Sequence, residues 1–202
     1  EKGVLKSEGN RRDFLLDSVW KFYTEDGNLV LEINYIAGKK NGFRTTFQGK
    51  EILKENFVDD VKQAYSFILY PNLKTKFKIP FIDGLEQGMA REYRMDGTII
   101  QLITYKKGYI IERERINRYD SDTLANGKWK WFYSDEKLWK EGTFKHGLKD
   151  GYFKEYDKNG DLISATKYID GEKIEKAEEL AKLDVRKDYY QNGRNKVVGT
   201  YK

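Results

Sequence analysis

Apolar residues, most of them aromatic, recur along this chain in pairs a near-constant distance apart: Tyr23 and Tyr35, Phe47 and Phe57, Leu69 and Phe81, Tyr93 and Tyr105, Phe132 and Phe144, Tyr156 and Tyr168, Tyr189 and Tyr201. Six of the seven separations are 12 residues, and six pairs are followed three residues later by glycine or a substitute: Gly38, Asp60, Gly84, Gly108, Gly147 and Gly171. Counted from Gly3, the turn positions run Gly27, Gly49, Leu73, Gly97, Glu136, Gly160 and Gly193, in steps of 24, 22, 24, 24, 39, 24 and 33. Such a period marks a tandem array whose units bury their apolar faces only against their neighbours. The two long steps exceed 24 by 15 and 9, which places two insertions in an otherwise constant repeat.

Each repeat reads as a β-hairpin. Asp26-Gly27, Asp96-Gly97, Asn159-Gly160 and Asn192-Gly193 are dipeptides that accept the positive φ angles of a tight two-residue turn. Beyond the first of them, Leu29, Leu31, Ile33 and Tyr35 alternate with Val30, Glu32 and Asn34, which puts one apolar face on a strand. Gly38-Lys39-Lys40-Asn41-Gly42, Gly84-Leu85-Glu86-Gln87-Gly88 and Gly147-Leu148-Lys149-Asp150-Gly151 read as longer exposed loops that reverse the chain. The expected fold is all-β: an elongated, single-layer antiparallel meander of stacked hairpins, forming one tandem-repeat domain over residues 1–202. Residues 110–126 are expected to add a strand and a polar loop. Residues 174–184, with Ala177, Leu180, Ala181 and Leu183 at helical spacing, are expected to form one short amphipathic helix near the C-terminus.

Composition narrows the partners more than the fold. With 39% hydrophobic, 35% charged and 15% aromatic residues, the chain is too polar for a large core and too aromatic for disorder, and a thin sheet suits the mixture. Net charge is +5, but 38 basic residues are interleaved with 33 acidic ones, as in Glu112, Arg113, Glu114, Arg115. A nucleic-acid binder gathers Lys and Arg on one stripe, so nucleic acid is not the expected partner. The absence of cysteine removes disulfide staples and thiolate metal sites without fixing the compartment. A chain opening on Glu1 fits a removed signal peptide or a cloning boundary equally, so cytoplasmic and exported locations both stay open.

Catalytic constellations do not assemble from the residue types present. His146 is the one histidine, in a Lys145-His146-Gly147 turn, which leaves no two-histidine metal site and no Cys/His pair. Asp59-Asp60 and Asp120-Ser121-Asp122 lack the spaced ligands of a calcium loop and read as turn chemistry. The glycines recur with the turns and match no nucleotide fingerprint. No cofactor and no metal are expected, and the chain is expected not to be an enzyme.

Recognition then falls to aromatic surface. Trp20, Trp129, Trp131 and Trp139, with Tyr133 and Tyr152, exceed what one face of a single layer buries. The paired aromatics, occurring in every copy, are assigned to a core ladder. Trp20, Trp129 and Phe153 stand at a position where other copies carry Arg44, Ser66, Ala90 and Arg186. That varied row, with Trp131 beside it, is the candidate protein-binding surface.

The unit Gly127, Lys128, Trp129, Lys130, Trp131, Phe132, Tyr133, a turn, then Leu138, Glu141, Gly142, Thr143, Phe144, and the closing Gly147 and Gly151, resembles the MORN-type repeat (membrane occupation and recognition nexus) in its bacterial variant. The resemblance extends over nearly the whole chain and weakens around Gly49, where the hairpin is two residues short, and around Leu73, where Pro71-Asn72 replaces the usual turn. Bacterial proteins of this kind are commonly labelled antitoxins of toxin–antitoxin systems, and eukaryotic ones are associated with membranes or protein assemblies. The resemblance therefore implies a non-enzymatic scaffold for protein–protein interaction, antitoxin-like in one form. The alternative is peripheral attachment to a membrane or envelope surface through Lys39, Lys40, Lys106, Lys107 and Lys149. Carbohydrate binding on tryptophan platforms is a third expectation.

Overall fold

The computed structural model describes residues 3–174, 184–189 and 195–201. They form antiparallel hairpins in open sheets, and the chain divides into two compact units, Glu1–Ile116 and Asn117–Lys202. The first unit is a meander of β1 (Ser7–Arg12), β2 (Leu15–Tyr23), β3 (Leu29–Ile36), β4 (Lys39–Gln48), β5 (Glu51–Val58), β6 (Val61–Lys62), β7 (Ala64–Leu69), β8 (Thr75–Ile82), β9 (Leu85–Glu86), β10 (Gly88–Tyr93), β11 (Ile99–Lys106) and β12 (Tyr109–Arg115). β6 with β7, and β9 with β10, are single strands interrupted at Gln63 and Gln87. The second unit holds β13 (Arg118–Tyr119), β14 (Ala125–Phe132), β15 (Leu138–Lys145), β16 (Leu148–Tyr156), β17 (Leu162–Ile169) and β18 (Glu172–Ile174) in sequence order. β19 (Asp184–Tyr189) and β20 (Asn195–Tyr201) pair with each other. The boundary at Ile116 falls inside the 110–126 insertion, whose first part is β12 on the edge of one sheet and whose second is β13 on the edge of the other. The helix expected over 174–184 falls on residues 175–183, which lie outside those described.

The tight turns and the longer loops stand in each other's expected places. At Asp26-Gly27, Thr24 N–H donates to Asn28 O (2.9 Å) and Gly27 N–H to Thr24 O (3.0 Å), giving a three-residue loop with Gly27 at φ 80°. The two-residue turns are instead Ala37-Gly38 (φ 50° and 81°), Asp83-Gly84 (50° and 81°) and His146-Gly147 (47° and 80°). Both turn kinds need a residue tolerant of positive φ, so dipeptide composition does not separate them. Register does: Ile36 pairs with Lys39 directly across Ala37-Gly38. Gly42 is no loop residue but a bulge within β4, at φ 93°.

Successive two-residue turns stack. The second turn residue donates its backbone N–H to a carbonyl one hairpin earlier: Gly38 to Leu16 (2.8 Å), Asp60 to Lys40 (3.0 Å), Gly84 to Lys62 (2.9 Å), Gly108 to Glu86 (2.9 Å), Gly147 to Ala125 (2.8 Å) and Gly171 to Lys149 (2.8 Å). Asp60, where other copies have glycine, adds a second bond, its Oδ1 accepting Lys40 N–H at 3.0 Å.

In each unit one sheet face carries the core. Tyr35, Phe57, Phe81, Tyr105, Phe144 and Tyr168 each sit opposite a small residue on the paired strand: Ser18, Gly42, Ala64, Gly88, Gly127 and Gly151. All six small residues have positive φ, between 60° and 102°, a local kink that leaves room for the ring. Phe57 and Phe81 are buried. Lys40 Nζ lies 5.1 Å from the Phe57 ring centroid and Lys62 Nζ 5.0 Å from that of Phe81, so lysine stems fill the gaps between rings. The next row crosses Trp20, Ile33, Arg44 and Glu55, and here the second repeats turn polar. Glu55, 4% exposed, is ion-paired to Lys62 and to Arg44 (3.6 Å).

Two first members of the aromatic pairs, Tyr23 and Tyr156, do not join this ladder. Tyr23 Oη donates to Glu8 Oε1 (2.6 Å) and Tyr156 Oη to Glu141 Oε1 (2.7 Å), and alternation places Glu141, next to Gly142, on the opposite face. A register shift at Phe22/Tyr23, and again at Glu155/Tyr156, breaks the alternation between pair members. An even separation of 12 therefore does not keep them on one face.

Candidate functional site

In the second unit five aromatics gather on the core face. Trp129 and Trp131 project to that face as alternate residues of β14, Phe144 joins them from β15, Phe153 from β16 and Tyr168 from β17. Ring centroids are 5.9 Å apart for Trp129–Trp131, 5.6 Å for Trp129–Phe144, 6.3 Å for Trp131–Phe144, 5.2 Å for Phe144–Phe153 and 5.3 Å for Phe153–Tyr168. Most of these contacts are edge-to-face, the arrangement the ring quadrupoles favour. The cluster fits because Gly142 lies between Trp129 and Phe153: a Cβ there would meet the Phe153 ring at 2.6 Å.

Charged groups form a polar border. Lys149 Nζ sits 5.1 Å from the Phe153 ring and 4.6 Å from that of Tyr168. Lys140, opposite Trp131, bonds Glu155 Oε1 at 2.7 Å. That bond holds the Glu155 carboxyl below its ordinary range. At one end the Trp129 indole N–H donates to Arg118 O (3.2 Å), and the ring meets Tyr119 edge-on at 5.3 Å.

Of the four residues singled out in the sequence, Trp129, Trp131 and Phe153 come together in the second unit. Trp20 belongs to the first unit, where its indole N–H donates to Asn10 O (2.8 Å), Arg11 lies 5.4 Å from its ring, and it covers Gly9. Phe153 is buried, 4% exposed, so its ring supports the cluster rather than offering itself to a partner. Trp129 and Trp131 are half-buried. Phe144 and Tyr168, which stand in the core ladder as their paired spacing predicts, complete the site with Lys149, which lies in β16 rather than in the expected loop. The missed signal was Gly142, an isolated glycine within a strand, which marks close approach by a neighbour.

The remaining candidates are structural. His146 is exposed, with Nδ1 2.9 Å from Asp120 Oδ2, joining two turns. The Asp120 carboxyl is held below its ordinary range, first by the Leu124 N–H, then by those of Asp122 and His146. Among the described residues no group of three or more His, Cys, Asp or Glu side chains is placed to hold a metal ion. Of the basic loop residues, Lys40 and Lys149 lie over aromatic rings, while Lys39, Lys106 and Lys107 are exposed.

Comparison with known families finds the MORN repeat variant at residues 16–37, 125–146 and 149–170. Each matched segment is one hairpin that closes on the first residue of a two-residue turn, at Ala37, His146 and Asp170. The matched segments lie in both units, one in the first and two in the second. A search of curated proteins finds no match.

Proposed function

We propose that this chain is a non-enzymatic scaffold whose second unit binds a partner protein through the face centred on Trp129 and Trp131. The carrying observation is the adjacency of two half-buried indoles, 5.9 Å apart, with a lysine border. Large amphipathic rings with a charged rim are the composition of an interface centre. The matched repeats support a binding role in general and leave the partner open. An antitoxin-like role, with a toxin protein as partner, is one form of this reading. Attachment to an anionic membrane has less support, because Lys40 and Lys149 are engaged with rings.

Trp131→Ala tests the proposal. In a pull-down from the native organism followed by titration of the partner recovered, the variant should bind about thirtyfold more weakly, the effect of losing about 2 kcal/mol at an interface centre. Unchanged affinity with intact circular dichroism would overturn the site. His146→Ala should leave binding unchanged.

A further inference from the structure

The first unit carries a second surface, on the sheet face opposite the buried ladder and along the edge formed by the two-residue turns. Val58 and Val61 flank the Asp59-Asp60 turn, and Ile82 and Leu85 flank Asp83-Gly84. The four side chains are 50%, 42%, 55% and 49% exposed. They follow one another on four successive strands, with Val61 3.8 Å from the Cβ position of Gly84, so they form one ridge rather than scattered contacts. Burial of the ladder does not require them: Phe57 and Phe81, the residues preceding Val58 and Ile82, take the buried face.

Two features define the occupant. Equivalent ridge residues, such as Val58 and Ile82, lie two strands apart, roughly 9.6 Å at ordinary strand spacing. An α-helix repeats a surface position every seven residues, or roughly 10.5 Å, so an apolar heptad stripe matches the hairpin period. The turns between these residues carry Asp59, Asp60 and Asp83 and no basic residue. Their carboxylates are fixed along the edge, Asp59 by Asn41 (3.0 Å), Asp60 by the Lys40 N–H and Asp83 by Gln63 (2.9 Å).

We infer that this ridge docks a basic amphipathic helix of a partner protein, its heptad apolar stripe on Val58, Val61, Ile82 and Leu85 and its lysines or arginines toward the three aspartates. The geometry is the helix-on-apolar-surface mode of peptide recognition, with charge fixing orientation. The ridge lies in a different unit from the Trp131 cluster, so the two surfaces fail or hold separately.

The test uses the full chain and a fluorescent three-heptad peptide with leucine at the stripe positions and lysine beside them, against a peptide of the same composition with the period scrambled. The heptad peptide should bind and the scrambled one should not. Leu85→Gln and, separately, the combined Asp59→Asn, Asp60→Asn and Asp83→Asn variant should each weaken binding about tenfold, and the second should flatten its salt dependence. Should Leu85→Gln fail to fold by circular dichroism, the asparagine variant still decides. Trp131→Ala should bind the peptide normally. Equal binding of the scrambled peptide, or unaltered binding by the asparagine variant, overturns the inference. So does preference for phosphatidylcholine–phosphatidylserine vesicles over the peptide, or self-association of the chain abolished by Leu85→Gln.

Discussion

Phe153 occupies the space in which Gly142, on the neighbouring strand, would carry a side chain: a Cβ there would come within 2.6 Å of the ring. Trp20 stands in the same relation to Gly9, at 2.5 Å. Gly142→Ala should therefore cost about 1–3 kcal/mol, the range for overpacking a closely fitted site, read as a lowered denaturant midpoint. An unchanged midpoint would mean that the ring moves away freely and that the cluster around Trp131 is not fixed.

Phe81→Ala should lower stability by about 3–5 kcal/mol, since the ring is buried opposite Ala64 and little can collapse into the space. Tyr105→Ala, with a half-buried ring opposite Gly88, should cost less, on the order of 3 kcal/mol or below. Chemical denaturation of both variants checks the order; the reverse order would misplace the centre of the ladder.

Phe14→Gly should stabilise. Phe14 is 93% exposed and sits at φ 64° in the Asp13-Phe14 turn, where most later turns use glycine. A bulky residue in this left-handed conformation costs about 1–2 kcal/mol, partly offset by the greater chain entropy of unfolded glycine, leaving a gain of up to about 1 kcal/mol. A lower melting temperature for the variant would show that the phenyl group makes a contact worth more than its strain.

Tyr156 governs an alkaline limb. Its phenol is pushed up to about 12, by burial first and then by its bond to Glu141, from the ordinary value of 10.0. A raised folded-state value means that the unfolded chain loses this proton first as pH rises. The contribution is therefore complete below pH 10 and lost as pH rises through about 12. Tyr23, through Glu8, and Tyr35, through burial, are shifted in the same direction. Tyr156→Phe should flatten the fall in unfolding midpoint across that window and remove one late-titrating phenol from the ultraviolet difference spectrum; an identical pH profile would refute the Glu141 bond.

Asp120 governs an acid limb of opposite sign. Its depressed value gives stability above the ordinary carboxylate range that is lost as pH falls through the folded-state value. Asp120→Ala should erase that portion of the acid profile and lower the melting temperature near neutrality more than His146→Ala does, because the Leu124 and Asp122 N–H groups lose their acceptor. Equal effects of the two substitutions would assign the shift to His146 instead.

The hairpin phase was legible because the aromatic spacing and the glycine that follows it are local signals, and even Asp60 was recognisable as a glycine substitute. Turn type was not, since Gly27 and Gly38 both relieve a positive φ and only cross-strand register tells a three-residue loop from a two-residue turn. Face assignment failed for Tyr23 and Tyr156 because a bulge inverts alternation without altering the residue count. Trp129 and Trp131 were visible as a surplus of aromatic area, but burial of Phe153 depends on Gly142 of another strand, a pairing that period alone does not give. The Glu55 ion pairs were foreshadowed only by Arg44, a charge at a position where other copies have rings.

The stacked turns bear on how such a chain changes length over evolutionary time. The acceptor lies 22 residues before the donor in five of the six turn-to-strand bonds, as in Gly84 and Lys62 (84 − 62), and 20 before it for Asp60 (60 − 40), where the hairpin is two residues shorter. Each of these six junctions offers the same lock. Recombination that excises or duplicates one whole hairpin, for instance residues 61–84, rejoins a donor to an equivalent acceptor and leaves no backbone group orphaned. Loss of a single strand would instead reverse the direction of everything downstream. Copy number in this architecture is thus free to drift in units of two strands, while each turn is held to its place by the one before it.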